Sequence, residues 1–95
     1  MISDREKANI QQFYKAILAL KTPEECALFF DDVATIKEVI DVSARLEVAR
    51  MLDEGKVFNE ISKETGASSA TISRVNKCLE YGPGGYRIVL DRIKK

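Results

Sequence analysis

The sequence FNEISKETGASSATISRVNKCL, residues 58–79, carries the strongest structural signal in the chain. Its first part predicts a short helix that Gly66 ends, and serines then offer caps for a second helix. The spacing of four apolar residues directs them toward one core: Ile61, Ile72, Val75 and Leu79. A short helix, a glycine turn and a capped second helix form the pattern of a helix-turn-helix, which we place at about residues 57–80.

The exposed start of the second helix is the candidate DNA-binding surface. Its residues are small, hydroxylated or basic: Ser68, Ser69, Ala70, Thr71, Ser73 and Lys77. Small side chains allow a helix to enter the major groove, which is about 12 Å wide, and hydroxyls near a helix N-terminus suit phosphate oxygens. The alternative is that the serines and the threonine only cap a helical hairpin.

The rest of the chain predicts an all-α fold of about six helices, because no segment shows the two-residue alternation of a strand. A first helix spans Asp4 to Leu20, and a short second one follows the Thr22-Pro23 start signal. Thr35 and Glu38 form a capping-box pair that opens a long third helix, which Gly55 ends. The last helix spans Tyr86 to Lys94, with inward positions predicted for Ile88, Val89 and Ile93.

Length and charge also constrain the protein. The 95 residues predict a single domain over residues 1–95, and 15 basic and 15 acidic residues balance to a net charge of zero. The balance conceals an asymmetry, since residues 1–55 hold 11 acids and 7 bases, whereas residues 56–95 hold 4 acids and 8 bases. The helix-turn-helix therefore lies in the basic part, as expected of a DNA-binding surface. No apolar run approaches a membrane span and the polar start is not a signal peptide, so we expect a cytoplasmic protein.

The residue inventory argues against catalysis and metal binding. The chain has no histidine, and its two cysteines, Cys26 and Cys78, are too far apart in sequence for a ligand pattern. We interpret both as small buried residues. No glycine-rich phosphate loop follows an apolar strand, and the adjacent acids such as Asp53-Glu54 are interpreted as solvated. The sequence therefore predicts that the protein is not an enzyme.

Residues 66–74, GASSATISR, resemble the signature of the Trp repressor family, in which glycine-alanine precedes alanine-threonine-isoleucine-threonine-arginine. The resemblance covers roughly residues 25–90, with matches also at Thr35, Arg45 and Pro83. It implies an intertwined homodimer in which the first three helices and the last one of each chain interlock. The two helix-turn-helix segments then enter successive major grooves about 34 Å apart.

The resemblance further implies a transcription regulator, most simply a repressor, that binds a palindromic operator in double-stranded DNA. By this resemblance Ser69, Ala70 and Thr71 meet base edges and Ser73 contacts phosphate. Lys77 occupies a polar position of the same helix. Glu80 departs from the family, which has a basic residue there, and a carboxylate near phosphate is repulsive.

The family also implies an effector site formed by Arg45 and Arg74 together with Thr35 of the partner subunit, with L-tryptophan or a related amino acid as the ligand. A guanidinium suits such a ligand because it pairs with carboxylates and stacks on aromatic rings. Val75, however, stands where the family has a glycine that leaves room for indole, and Asp32 replaces an apolar residue. We therefore predict an effector that is changed or absent.

A second hypothesis is that the protein has the helix-turn-helix fold but uses it for protein–protein contact and does not bind DNA. The three aromatic residues Phe58, Tyr81 and Tyr86 would then form an exposed patch for protein–protein contact.

Overall fold

The computed structural model describes residues 1–94, which form six α-helices and no strand. The predicted all-α class is therefore confirmed. The helices in chain order are α1 (Asp4–Ala19), α2 (Pro23–Val33), α3 (Ile36–Asp53), α4 (Phe58–Thr65), α5 (Ser69–Tyr81) and α6 (Gly85–Ile93). No helix among the described residues is long and apolar enough to cross a membrane.

The contacts divide the chain into two compact units, Met1–Ile36 and the part from Lys37 onward. In the first unit, α1 and α2 meet through an aromatic cluster, in which the rings of Phe13 and Phe29 stack at 6.0 Å. Phe29 and Phe30 are in edge contact at 5.5 Å. Even so, no side chain of α1 or α2 is buried in the single chain.

The helix starts of this unit follow the capping rules. Thr22 Oγ1 accepts the Glu25 N–H at 3.1 Å, and Pro23 takes the first helical position, as predicted. The sequence interpretation missed a capping box at α1. Ser3 Oγ accepts the Glu6 N–H at 3.1 Å, and Glu6 Oε1 accepts the Ser3 N–H at 2.8 Å. These hydrogen bonds lower the pKa of Glu6 because they favour its charged form.

The second unit contains the hydrophobic core. Seven buried side chains from four helices form it: Val48, Ala49, Met51, Ile61, Ile72, Val75 and Leu90. The predicted inward positions of the helix-turn-helix are confirmed, with Leu79 partly buried against this core. α5 packs against both α4 and α6.

Two sequence predictions about this unit were wrong. Ile88, Val89 and Ile93 of α6 are exposed, because a nine-residue helix presents one face to the core and Leu90, with Tyr86, occupies that face. Cys78 is exposed on α5, since Ile72, Val75 and Leu79 take the inward positions of that helix. In the first unit Cys26 is partly buried, so neither cysteine is a fully buried residue.

Candidate nucleic-acid interface and effector cavity

The turn between α4 and α5 depends on Gly66, which adopts a left-handed φ of 75° and donates its N–H to the Ser62 carbonyl at 2.9 Å. A Cβ at this residue would meet no atom within 4 Å. The requirement for glycine is therefore conformational, because the left-handed region is strained for side chains with a Cβ.

Two hydroxyl groups stabilise this turn by hydrogen bonds, and the sequence interpretation did not select either of them. Ser62 Oγ donates to the Ala67 carbonyl at 2.9 Å, and Thr65 Oγ1 donates to the Ile61 carbonyl at 2.7 Å. Thr65 Oγ1 also accepts the Ala67 N–H at 3.1 Å. These bonds are part-buried, and they satisfy backbone groups that the end of α4 leaves without helical partners. The sequence did contain a signal for these two residues, because their hydroxyls lie four residues and one residue before the glycine that ends α4.

Ser68 is the N-cap of α5. Its Oγ accepts the Thr71 N–H at 3.2 Å and lies 3.1 Å from Thr71 Oγ1, to which it donates. The Ser68 hydroxyl is thus used inside the protein, which supports the capping interpretation for this residue. In this arrangement the Thr71 hydroxyl keeps its own proton to donate elsewhere.

The outer face of α5 is small, polar and basic. Ala70, Ser73, Arg74 and Lys77 are all exposed, and their spacing of three and four residues places them along one stripe. Ser69 at the first turn is also exposed, whereas Thr71 is half-buried at the edge of the stripe. The structure therefore brings the six predicted DNA-binding residues to the first two and a half turns of one helix and the residue before it.

A cavity of about 430 Å³ lies between α3 and the start of α5, and we call it the α3–α5 cavity. Its lining includes Arg45 from α3 and Arg74 from α5, two of the three predicted effector-binding residues. Thr35 belongs to the Met1–Ile36 unit, and its part in an effector site stays a prediction. Ile40, Ala44 and Val75 supply the apolar wall.

The charged side chains that line this cavity differ in whether they already form an ion pair. Asp41 lines it but already accepts from Lys37 Nζ at 2.9 Å. Within residues 1–94, neither Arg45 nor Arg74 has an acidic partner at salt-bridge distance. The cavity thus presents two guanidinium groups that can pair with an anionic ligand. The Asp41 carboxylate, by contrast, is already paired with Lys37.

A family model described as Trp repressor protein matches residues 8–94. The chain belongs to the Trp repressor family. This family is one of helix-turn-helix regulators, and the resemblance noted at residues 66–74 is confirmed.

Individual relatives of this Trp repressor family member agree with the match. The chain is 54% identical over 86 residues to the uncharacterized protein YerC of Bacillus subtilis (strain 168), covering 90% of this chain and 83% of that protein. A TrpR-like protein from Eubacterium eligens is 47% identical with a TM-score of 0.88, covering 92% of this chain and 90% of that structure. A structure described as a candidate Trp repressor from Staphylococcus aureus is 44% identical with the same TM-score, covering 92% of this chain and 87% of the other.

Val75, which stands where the resemblance places a glycine, lies in the wall of the α3–α5 cavity of this family member. Its side chain is 2% exposed, belongs to the core and also lines the α3–α5 cavity. The valine therefore cannot turn away from the cavity without leaving its packed position. Asp32, the second departure, is exposed on α2.

No group of three or more histidine, cysteine or acidic residues among residues 1–94 is arranged to hold a metal ion. The interpretation of Asp53 as a solvated acid was wrong. Its side chain is only 12% exposed and pairs with two cations, Arg87 of α6 and Lys94 just after that helix. Sequence spacing gave no signal for these contacts, because the partners lie 34 and 41 positions away.

Proposed function

We propose that this protein is a homodimeric, sequence-specific DNA-binding transcription repressor that reads a palindromic operator with α5. The observation that carries the proposal is the exposed stripe of Ala70, Ser73, Arg74 and Lys77. Its small residues permit close approach to a major groove, and its two cations attract phosphate. The proposed setting is the cytoplasm, where such a repressor meets DNA, and no catalytic role is included.

The proposed roles differ along α5. Ser69, Ala70 and Thr71 face the base edges, with the Thr71 O–H as a donor. Ser73 and Lys77 contact the phosphate backbone. Ser68 acts through its cap, which orders the first turn of α5. Glu80 is exposed one turn further on, and its carboxylate sets the end of the DNA-facing stripe.

The homodimer is supported by apolar surface that one chain leaves uncovered. Leu18 of α1 is 84% exposed and Leu28 of α2 is 69% exposed, although both lie on helices with an aromatic cluster. A 95-residue chain with two helices that carry no fully buried side chain gains its missing core from a second copy. We therefore treat residues 1–95 as a single domain that the dimer completes, with the paired α5 helices about 34 Å apart.

The effector proposed for the α3–α5 cavity is a small carboxylate. Arg45 and Arg74 supply two guanidinium groups that have no acidic partner within residues 1–94, and family resemblance adds Thr35 of the partner subunit. L-tryptophan or another amino acid remains within this class, but Val75 occupies space that an indole ring requires. Overpacking of a core-lined wall costs about 1–3 kcal/mol, which favours a ligand smaller than tryptophan.

The alternative, a protein-interaction module, has one observation in its favour. Tyr81 is 81% exposed at the end of α5, where it has no covering helix in the single chain. Phe58 is 39% exposed, but Tyr86 packs against the core, so the three residues predicted as an aromatic patch are not equally available.

The experiment that tests the proposal is selection of duplexes from a random DNA library by the full-length protein. We expect enrichment of a two-fold symmetric sequence, with log affinity that falls linearly against log salt as counterions are released. No enrichment, together with no mobility shift of any duplex at low salt and micromolar protein, would contradict DNA binding and favour the interaction module.

A further inference from the structure

Asp53, the last residue of α3, holds α6 through both of its carboxylate oxygens. Arg87 Nη1 donates to Oδ1 at 2.6 Å, and Lys94 Nζ forms an ion pair with Oδ2 at 3.1 Å. We call these three residues the Asp53 clasp. Because α6 ends at Ile93, the clasp contacts this helix in its first turn, through Arg87, and the residue just after its end, Lys94.

The clasp differs from the other ion pairs described for this protein. Lys37–Asp41 and Arg50–Glu54, for example, each join residues four apart on or next to one helix and are largely exposed. Such exposed pairs contribute little to holding a fold together. In the clasp, by contrast, the Asp53 side chain is 12% exposed, while its partners Arg87 of α6 and Lys94 just after it are 46% and 60% exposed and lie far away in sequence. Its hydrogen bonds with Arg87 and then Lys94 hold the pKa of Asp53 below its usual range, because these cations favour the charged carboxylate.

The connection between α5 and α6 does little to fix α6 by itself. It runs through Gly82-Pro83-Gly84, and Gly84 has a left-handed φ of 97° and provides no side-chain cap for α6. Leu90 is the one fully buried side chain of α6 among the described residues. Within the described part of one chain, α6 is therefore held by Leu90, by the partly buried Tyr86 and by the Asp53 clasp.

The position of α6 matters for α5. The two helices pack against each other, and Leu90 shares the core with Ile72 and Val75, the residues that orient the inner face of α5. A shift of α6 would move the packing surface behind the helix that carries the exposed stripe. Helices that support a binding element set how accurately that element is presented.

We propose that Asp53 is a positioning residue for DNA recognition, which seats α6 and thereby fixes the orientation of α5. This inference rests on the proposed DNA-binding function. Asp53 lies on α3, outside the proposed DNA-facing stripe, and acts through Arg87 and Lys94. Its loss therefore affects sequence discrimination, whereas loss of a phosphate contact weakens all sequences alike.

The test compares Asp53→Asn with Asp91→Asn, a control that removes the same charge. The exposed Asp91 carboxylate also lies near Arg87, at 4.0 Å, but both residues belong to α6, so this pair does not join α6 to α3. Hydrogen exchange on the free protein reports the seating of α6. We expect α6 amides to exchange about tenfold faster in Asp53→Asn, with Asp91→Asn like the wild type, since opening rises as local contacts are lost.

Duplex binding reports the consequence. The ratio of affinities for the selected duplex and a scrambled one should fall about tenfold in Asp53→Asn and stay unchanged in Asp91→Asn. A merely structural role would lower the folded fraction and reduce both affinities alike, leaving this ratio unchanged. Lys94→Gln removes one of the two clasp partners, so it should give intermediate values of α6 exchange and of the affinity ratio. This variant replaces Asp53→Asn in the test if Asp53→Asn folds poorly.

Unchanged exchange of α6 in both clasp variants would overturn the inference, and so would faster exchange with an unchanged affinity ratio. If the wild-type protein binds no duplex, the DNA-binding proposal fails and the recognition role of Asp53 fails with it. The exchange measurement separates the two cases, because it tests the seating of α6 in the absence of DNA.

Discussion

Arg45 of α3 and Arg74 of α5 line the same cavity, although 29 positions separate them in the sequence. Arg74 also belongs to the exposed stripe of α5. One residue therefore faces both the proposed effector and the proposed DNA surface. A ligand that pairs with Arg74 would change the charge and orientation of the helix that meets the operator, which is a direct physical route for effector control.

This relationship predicts the outcome of a thermal-shift screen with amino acids, indole compounds and aliphatic carboxylates. Ligands that stabilise the protein should carry a carboxylate, and their effect should disappear in Arg45→Ala and Arg74→Ala, because binding to the folded state raises the melting temperature. We expect little response to L-tryptophan because Val75 narrows the cavity. A large shift with L-tryptophan that both arginine variants abolish would contradict the altered-effector prediction.

Thr71 and Lys77 should separate base recognition from phosphate attraction. Thr71→Val removes the hydroxyl but keeps the shape, and should lower discrimination between the selected duplex and single-base variants by about tenfold, a loss of about 1.4 kcal/mol. Lys77→Gln should weaken all duplexes similarly and reduce the salt slope by about one. Fluorescence anisotropy at several salt concentrations measures both, with Lys15→Gln on α1 as the charge-matched control. Equal loss of discrimination in the two variants would refute these roles.

Gly66 and Gly85 form a matched pair for testing the turn between α4 and α5. Neither would bring a Cβ within 4 Å of another atom, but Gly66 has a φ of 75°, whereas Gly85 is not in the left-handed region. Gly66→Ala should therefore destabilise the protein by about 1–2 kcal/mol, and Gly85→Ala should be neutral or slightly stabilising. Urea denaturation measures the free energy of unfolding. Equal effects of the two substitutions would show that the left-handed backbone is not the cause.

Leu28 should be required for the homodimer. Placing a charge at this exposed apolar residue of α2 by Leu28→Glu should shift the equilibrium toward monomer, because the charge would have to be buried at the interface. Sedimentation at micromolar concentrations measures the change, and the wild type should sediment with the mass of two chains. Gln11→Glu, which adds the same charge to exposed α1, is the control. A wild-type monomer at these concentrations would remove the support for a dimer.

The Asp53 clasp predicts an acid dependence of stability. The pKa of Asp53 is lowered in the folded protein from an ordinary value of 3.8, so its contribution is complete above that value and is lost as the pH falls through the folded pKa. The groups that face Asp53 are the cations of Arg87 and Lys94, and the Asp91 carboxylate lies 4.0 Å from Arg87 Nη1. Melting temperatures of wild type and Asp53→Asn should differ at pH 7 and converge as the pH falls through the folded pKa, which lies below 3.8. A difference that persists unchanged in acid would exclude an ionic clasp.

Local chemistry explains why so much of the fold was predictable. The left-handed Gly66, the cap at Ser68 and the Thr22-Pro23 start are set by residues close in sequence, and the structure confirms each of them. The inward positions of Ile61, Ile72 and Val75 also follow from helical spacing alone. By contrast, the inward prediction for Ile88, Val89 and Ile93 was wrong, because spacing shows that a helix has an apolar face but not which part of it the core reaches.

The amino-acid sequence by itself determined the helices, their ends, the helix-turn-helix and the family resemblance, since these depend on interactions within a few residues. Tertiary structure decided that Arg45 and Arg74 share a cavity, that Val75 serves both core and cavity wall, and that Asp53 is a covered partner of Arg87 and Lys94. The physical reason is distance along the chain. Packing brings these residues together, and packing depends on the volume and direction of side chains from several helices at once.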